Sequence, residues 1–352
     1  MMFQQAIIVI GASAGGVESL REVVKGLPVD LPGAVFVVLH IPPYQASSLP
    51  EILSRSGPLT ARHPEDGEPI AAGRIYVAPP DHHLLLDAGT VAIKKGPKEN
   101  RFRPSIDALF RSAAYGYRSQ VTGVVLSGAL DDGTSGLWSI KQMGGCTVVQ
   151  KPNDARFESM PLSALAQVKI DHSLPASEIG PLLARLAVAT KTATTATGSK
   201  LRERIGTELA IAVEGGAFQK GIMSYGELTP FTCPDCHGAL VKLREDKMVR
   251  YRCHTGHAYS DSALLEGVVG STGEMLWQVM RSLEEGAMLL QQMGSDMRDA
   301  GDTVRAEVVF AKARELETRS RLFHDFVLEH ETLSGDNLGV AAQSTRRYGA
   351  PP

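Results

Sequence analysis

The chain has 352 residues, with 36 Lys and Arg against 39 Asp and Glu, a net charge of −3. That balance gives no electrostatic case for binding nucleic acid or an anionic membrane, and the length calls for two or three domains rather than one. Hydrophobic residues make up 43% and charged residues 21%, the proportions of a soluble globular protein. No run of about twenty apolar residues is present to span a bilayer. The N-terminus shows neither the basic region nor the cleavage pattern of a signal peptide, so the expectation is a cytoplasmic protein with no direct membrane insertion.

The first element sets the pattern for the rest. Ala6-Ile7-Ile8-Val9-Ile10 is a buried-strand run of the kind found in parallel sheets. It leads through Gly11-Ala12-Ser13-Ala14-Gly15-Gly16 into a helix-like stretch from Val17. Such a turn either presents a nucleophile or cradles a phosphate. The dinucleotide pattern G-x-G-x-x-G lacks its second glycine here, because position 13 is Ser, and no Walker lysine follows. The literal spacing is G-x-S-x-G, that of a nucleophile elbow, which also needs a base and an orienting carboxylate.

Further core strands are read at residues 34–39, 121–126 and 147–149, with helices between them at residues 47–54, 105–115 and 134–143. This alternation predicts an α/β fold, a doubly wound and mostly parallel sheet, across residues 1–189. Residues 73–95 carry three short apolar runs split by Pro79-Pro80 and Asp87-Ala88-Gly89, and read as a β-hairpin insertion or antiparallel edge. Small polar residues at 190–199 read as a linker within a connecting segment, 190–227. A small Cys/His domain follows at 228–262. Residues 263–332 show two helical stretches, one with Leu276, Met280, Leu283, Ala287, Leu290 and Met297, the other with Val304, Val308, Ala311, Leu322, Phe323 and Phe326. They predict an antiparallel helical hairpin with one apolar stripe per helix. Residues 333–352 read as a disordered tail.

Three of the four cysteines lie close together beside histidines. In a reducing compartment that pattern suggests a metal before a disulfide. Cys233-Pro234-Asp235-Cys236 is a knuckle that points two thiolates at one centre. Cys253 and His257 would complete a tetrahedral Cys3His set, a structural zinc site of zinc-ribbon type. His254 is the rival fourth ligand, disfavoured by its adjacency to Cys253. Cys146 lies in a strand-like run and reads as a small buried hydrophobe.

The second core strand ends at His40 before Ile41-Pro42, and the third runs into Leu126-Ser127-Gly128-Ala129-Leu130-Asp131-Asp132-Gly133. Singly, such a histidine caps a sheet edge and such acids cap a helix. Together, Ser, His and Asp at three strand ends supply the nucleophile, base and orienter of acyl transfer. The order Ser13, His40, Asp132 is not that of ordinary α/β-hydrolases. The set G-A-S-A-G-G, H-I-P, R-P-S-I-D (residues 103–107), L-S-G-A-L-D-D-G-T-S-G and S-M-P (residues 159–161) resembles the catalytic domain of chemotaxis-receptor protein-glutamate methylesterases, from residue 6 to about 188.

The resemblance implies hydrolysis of glutamate γ-methyl esters on methylated receptor helices, and in many members deamidation of receptor glutamines. It assigns the nucleophile to Ser13, the base to His40 and the acid to Asp132 rather than Asp131. The backbone of Ala14 and Ala129 would bind the oxyanion, although the family more usually has Met where Ala129 stands. Arg103 would attract the acidic substrate helix. The best-known layout of the family places a phospho-receiver domain first, whereas this sequence begins at the catalytic strand. The region after the linker, zinc ribbon and helical hairpin, is then the candidate for control through a regulatory partner, and residues 1–189 are expected to fold and act alone. The competing readings are a Rossmann-like nucleotide binder and a zinc-ribbon adaptor carrying a non-catalytic α/β domain.

Overall fold

The structure, a computed structural model, describes residues 5–189 and 199–331. It forms two compact units, Met1–Leu264 and Leu265–Pro352. The expected linker up to residue 198 and the expected tail lie outside the described residues.

In the first unit, β1 (Ala6–Ala12), α1 (Gly16–Lys25), β2 (Gly33–Leu39), α2 (Leu49–Ser56), β3 (Thr60–Arg62) and β4 (Arg74–Val77) are followed by β5 (His83–Asp87) and β6 (Thr90–Lys94). Then come α3 (Ile106–Tyr117), β7 (Val121–Val125), α4 (Thr134–Gln142), β8 (Cys146–Gln150), α5 (Ser159–Gln167), β9 (His172–Leu174) and α6 (Ala176–Val188). Seven strands make one sheet in the order β3-β4-β2-β1-β7-β8-β9, with every neighbouring pair parallel.

The strand alternation explains the two layers. Ile8, Ile10, Val35 and Val37 face α1, α2 and α6, packing on Leu20, Val23, Leu53 and Ile179. Ile7, Val9, Phe36 and Val38 face the other way, onto Leu109 and Phe110 of α3 and Leu137 and Ile140 of α4. Both central strands are buried along their whole length, which is why they read as continuous apolar runs. The chain leaves β1 in one direction and β7 in the other. Their carboxyl ends therefore bound a topological switch point, where doubly wound sheets place their sites.

One expectation is corrected. Arg74–Val77 is not part of an antiparallel edge but pairs in parallel with β2 inside the main sheet. Only β5 and β6 form the hairpin, as a separate two-stranded sheet whose Leu84, Leu86 and Val91 pack under α3.

The connecting segment contains a long helix. Residues Ser199–Glu214 form α7, with Ile205, Glu208, Ile211 and Ala212 buried. A four-stranded antiparallel sheet follows: β10 (Glu227–Thr232), β11 (Ala239–Glu245), β12 (Met248–Cys253) and β13 (Ala258–Ser260). It is packed into the first unit through a buried ion cluster. Arg252 donates to Glu99 at 2.7 Å and Glu208 at 3.0 Å; Arg250 donates to Glu208 and Glu245, each at 2.9 Å; and Arg111 of α3 donates to Glu99 at 3.0 Å. None of these side chains is more than 3% exposed. Burial pushes the Glu99 and Glu208 carboxyls up, but the surrounding guanidinium groups outweigh it and hold both well below the ordinary carboxylate range. Four of these six charges, Glu208 of α7, Glu245 of β11 and Arg250 and Arg252 of β12, come from beyond residue 189, so that part of the chain packs directly on the α/β core.

In the second unit, α8 (Asp261–Asp299, which begins in the first) and α9 (Thr303–Glu331) are antiparallel: Arg298 meets Glu307, and Ser320 meets Glu284. The stripe of α8 is as expected, with Met280 and Ala287 buried and Leu276, Leu283, Leu290 and Met297 half-buried. That of α9 is corrected. Val304, Val308 and Leu322 are exposed, and the inward face is Ala306, Ala313 and Ser320, one residue per seven. Small residues there let the helices approach, with Phe310 lying over Gly294.

Removing one partner from a buried charge cluster leaves the others uncompensated, at a cost of about 3–5 kcal/mol. Glu208→Ala should lower the unfolding free energy by that order in chemical denaturation. An unchanged midpoint would show that the cluster does not couple the sheet to the α/β core.

Candidate active site

Ser13 follows β1 in a turn that side chains would block. Gly15 has φ +67°, and a Cβ on it would come within 2.8 Å of Arg156 Cβ and 2.9 Å of Ser127 Oγ. The Ser13 N–H donates to the Ser127 carbonyl at 2.9 Å and the His40 N–H to the Ala12 carbonyl at 3.2 Å, so the three strand ends are laced together. A Cβ on Gly128 would meet Ser13 Cβ at 2.9 Å and Met160 Sδ at 2.0 Å. That clash accounts for the bare backbone opposite Ser13.

His40 lies between Ser13 and Asp132. Its Nδ1 is 3.2 Å from Ser13 Oγ and its Nε2 is 2.8 Å from Asp132 Oδ2. Because Asp132 is an acceptor, Nε2 carries the proton and Nδ1 is left to accept from the serine hydroxyl. The ring stacks on Phe102, with centroids 3.7 Å apart and planes 8° from parallel.

Asp132 is 2% exposed and is surrounded by donors. Oδ2 accepts from the Ile106 N–H at 2.8 Å as well as from His40. Oδ1 accepts from Asn100 Nδ2 at 2.9 Å, Ser105 Oγ at 3.1 Å, and the N–H groups of Asp107 and Gly133 at 3.2 and 3.0 Å. Two of these N–H groups open α3, whose N-terminal end favours an anion. Burial alone would raise this carboxyl, but the bond from His40 and its charge, with the other donors, keep it below its ordinary value. Asp131 points elsewhere, accepting from Ser260 Oγ and Ser262 Oγ.

Ala14 follows Ser13 in the chain, and Ala129 follows Gly128, which lies against Ser13. Among the described residues the N–H groups of Ala14 and Ala129 donate to no protein acceptor. Arg103 is engaged within the fold. Its guanidinium donates to Asp81 at 2.6 and 2.9 Å and to the Gly96 carbonyl at 2.7 Å, at 16% exposure. These bonds tie the β5–β6 hairpin to the segment before α3. Residues missed from sequence are Asn100, Phe102 and Asp107. Asp107 closes the R-P-S-I-D match without a role assigned to it there, and Asn100 and Phe102 lie just before that match, outside any periodic pattern.

The sulfur and nitrogen atoms of Cys233, Cys236, Cys253 and His257 lie within 4.8 Å of one another. Cys236 Sγ and His257 Nδ1 are each 3.6 Å from Cys253 Sγ, and Cys233 Sγ is 3.7 Å from His257 Nδ1. The N–H groups of Gly256 and His257 donate to Cys253 Sγ, which suits a thiolate. His254 stands apart, against Gly238.

A parallel α/β sheet with Ser, His and Asp gathered at its switch point defines the class: a serine-hydrolase arrangement outside the ordinary α/β-hydrolase order. The family model for CheB methylesterase matches residues 8–183. A Leptospira interrogans relative is 37% identical over 180 residues, covering 51% of this chain and 93% of the relative. The Thermotoga maritima protein-glutamate methylesterase/protein-glutamine glutaminase is 36% identical over 184 residues, 51% of this chain and 54% of that protein. The crystal structure of the Thermotoga maritima CheB methylesterase catalytic domain superposes with a TM-score of 0.50 at 36% identity, covering 52% of this chain and 98% of that one. The chain belongs to the CheB methylesterase family. The Cys/His sheet and the helical hairpin lie beyond the matched span.

Asp107, beside Asp132, is raised from 3.8 to about 8, first by burial and then by the charge of Asp132. A carboxyl raised on folding adds stability that is complete below its unfolded value and is lost as pH rises through the folded value. From pH 4 to pH 8 the wild type should therefore lose stability that Asp107→Asn does not lose, as read by denaturation at several pH values. Parallel pH profiles for the two proteins would contradict it.

Proposed function

We propose that this protein is a serine hydrolase that removes methyl esters from glutamate side chains on chemotaxis-type receptors, and deamidates receptor glutamines by the same route. The observation that carries the reading is His40 held between Ser13 and Asp132 at the edge of a sheet whose sequence is that of CheB methylesterases. In this reading His40 takes the Ser13 proton at Nδ1 as Oγ attacks the ester carbonyl, while Asp132 fixes the tautomer and stabilises the imidazolium. The N–H groups of Ala14 and Ala129 receive the oxyanion. His40 then protonates departing methanol, and water releases the glutamate by the reverse sequence. The methylated receptor helices are the partners in this account. No helix among the described residues is long and apolar enough to cross a membrane.

The Cys/His group is, in the same reading, a structural zinc site. Tetrahedral Zn–S bonds of about 2.3 Å put two sulfurs roughly 3.8 Å apart, close to the 3.6 Å between Cys236 and Cys253. Four protein ligands leave no open position, so the metal would hold the fold of this sheet and take no part in ester cleavage.

Methanol release from methylated receptor fragments tests the activity. Ser13→Ala and His40→Ala should each lower kcat by about 10⁴-fold or more, and Asp132→Asn by about 10³–10⁴-fold, with folding unchanged. A larger loss for Asp131→Asn than for Asp132→Asn would reassign the acid. Metal analysis of the purified protein should find about one zinc per protomer, absent from Cys233→Ser; equal zinc in both would remove the site.

A further inference from the structure

The turn between β6 and α3 reaches both sides of the molecule. The N–H of Glu99 donates to the Phe102 carbonyl at 3.2 Å and that of Phe102 returns to Glu99 at 2.9 Å, closing a two-residue loop. Asn100 and Arg101 inside it have φ of +51° and +71°. Left-handed backbone costs side-chain-bearing residues of order 1–3 kcal/mol each, and it persists only where the surroundings enforce it.

Each part of the turn has a purpose. Glu99 is anchored in the ion cluster by Arg252 of β12 and Arg111 of α3. Phe102 carries the His40 ring on its face. Asn100, 3% exposed, is saturated: its N–H donates to the Ala258 carbonyl at 2.7 Å, and its Oδ1 accepts from the Ser260 N–H at 2.9 Å. Its Nδ2 donates to Asp132 Oδ1 and to Asp107 Oδ2, each at 2.9 Å. One amide thus joins strand β13 of the Cys/His sheet to the carboxylate that orients His40.

We infer that Asn100 is a positioning residue for the Ser13–His40–Asp132 site, and that the Cys/His sheet serves the reaction by holding it, through the backbone of Ala258 and Ser260. The inference rests on the esterase reading and deepens it. The sheet, expected as a candidate for control through a regulatory partner, is in this inference part of the scaffold behind the acid. Asparagine suits the position chemically. It tolerates the left-handed backbone, presents an acceptor to the sheet, and presents to two carboxylates a donor that cannot lose its proton.

Two substitutions separate positioning from docking. Asn100→Gly fits the backbone and removes both side-chain links. Asn100→Asp keeps the acceptor for Ser260 but turns an oxygen towards Asp132. The readout on the full chain is kcat and KM on a soluble methyl ester, with kcat divided by the Ser13 sites titrated with a fluorophosphonate. Misfolded protein is thereby excluded from the rate. Both variants should lose roughly tenfold to hundredfold in kcat, the scale of one hydrogen bond to a charged group, with KM within about twofold. Hydrogen exchange at Ser260 should accelerate in Asn100→Gly and stay near wild type in Asn100→Asp. Wild-type kcat per titrated site in Asn100→Gly overturns the inference. Wild-type kcat in Asn100→Asp alone also overturns it, by showing that the residue only docks the sheet. Failure of fluorophosphonate to label Ser13 in the wild type would instead strike the esterase reading beneath it.

Discussion

A carboxylate buried to 2% exposure beside a histidine is the constraint on which this architecture depends. Left unpaired, such a group takes up a proton instead of bearing the cost of burial, and a neutral Asp132 would no longer hold His40 in a defined tautomer. The fold answers with donors from four places: the first turn of α3, the loop after β7, the Glu99–Phe102 turn and His40 itself. Each donor fixes an element relative to the others, so charging one oxygen pair aligns the ends of three strands and the start of a helix. Asp107 bears part of the consequence. Two anions cannot both be stable so close together, and the one without a histidine partner is the one that keeps its proton.

The same logic works at larger scale behind the site. Glu99, Arg111, Glu208, Arg250 and Arg252 are each unfavourable to bury and tolerable only together. Because they come from the α/β core, from α7 and from β12, their mutual satisfaction requires all three to be in place. A small sheet with a core of a few residues around Tyr251, Tyr259 and Leu264 has little apolar area of its own. The ion cluster supplies part of what that core lacks. Asn100 is where this arrangement meets the chemistry.

What could be read from the sequence follows the same physics. β1 and β2 were legible because a strand covered on both faces must be apolar throughout. Ser13, His40 and Asp132 were legible because they interrupt such runs at the edge where sheets place their sites. The pairing of Arg103 with Asp81 was not legible, since Asp81 comes close only once the β5–β6 hairpin is placed. The helix α7 was obscured because its inward face carries Glu208, a charge that sequence patterning sends to the surface. In α9 the large apolar residues Val304, Val308 and Leu322 face outward while alanines face in, so the hydrophobic pattern named the wrong side. Asn100 has no signal at all in sequence; its significance lies in partners 7, 32 and 160 positions away.

The central claim is that Ser13 is the nucleophile of a methylesterase activated by His40. It is met most directly by treating the full chain with a fluorophosphonate and mapping the adduct by mass spectrometry while following methanol release. The account predicts a single adduct on Ser13, activity lost in proportion to labelling, and negligible labelling in His40→Ala. Full labelling of Ser13 with methanol release intact, or loss of activity through an adduct on another serine, would contradict it.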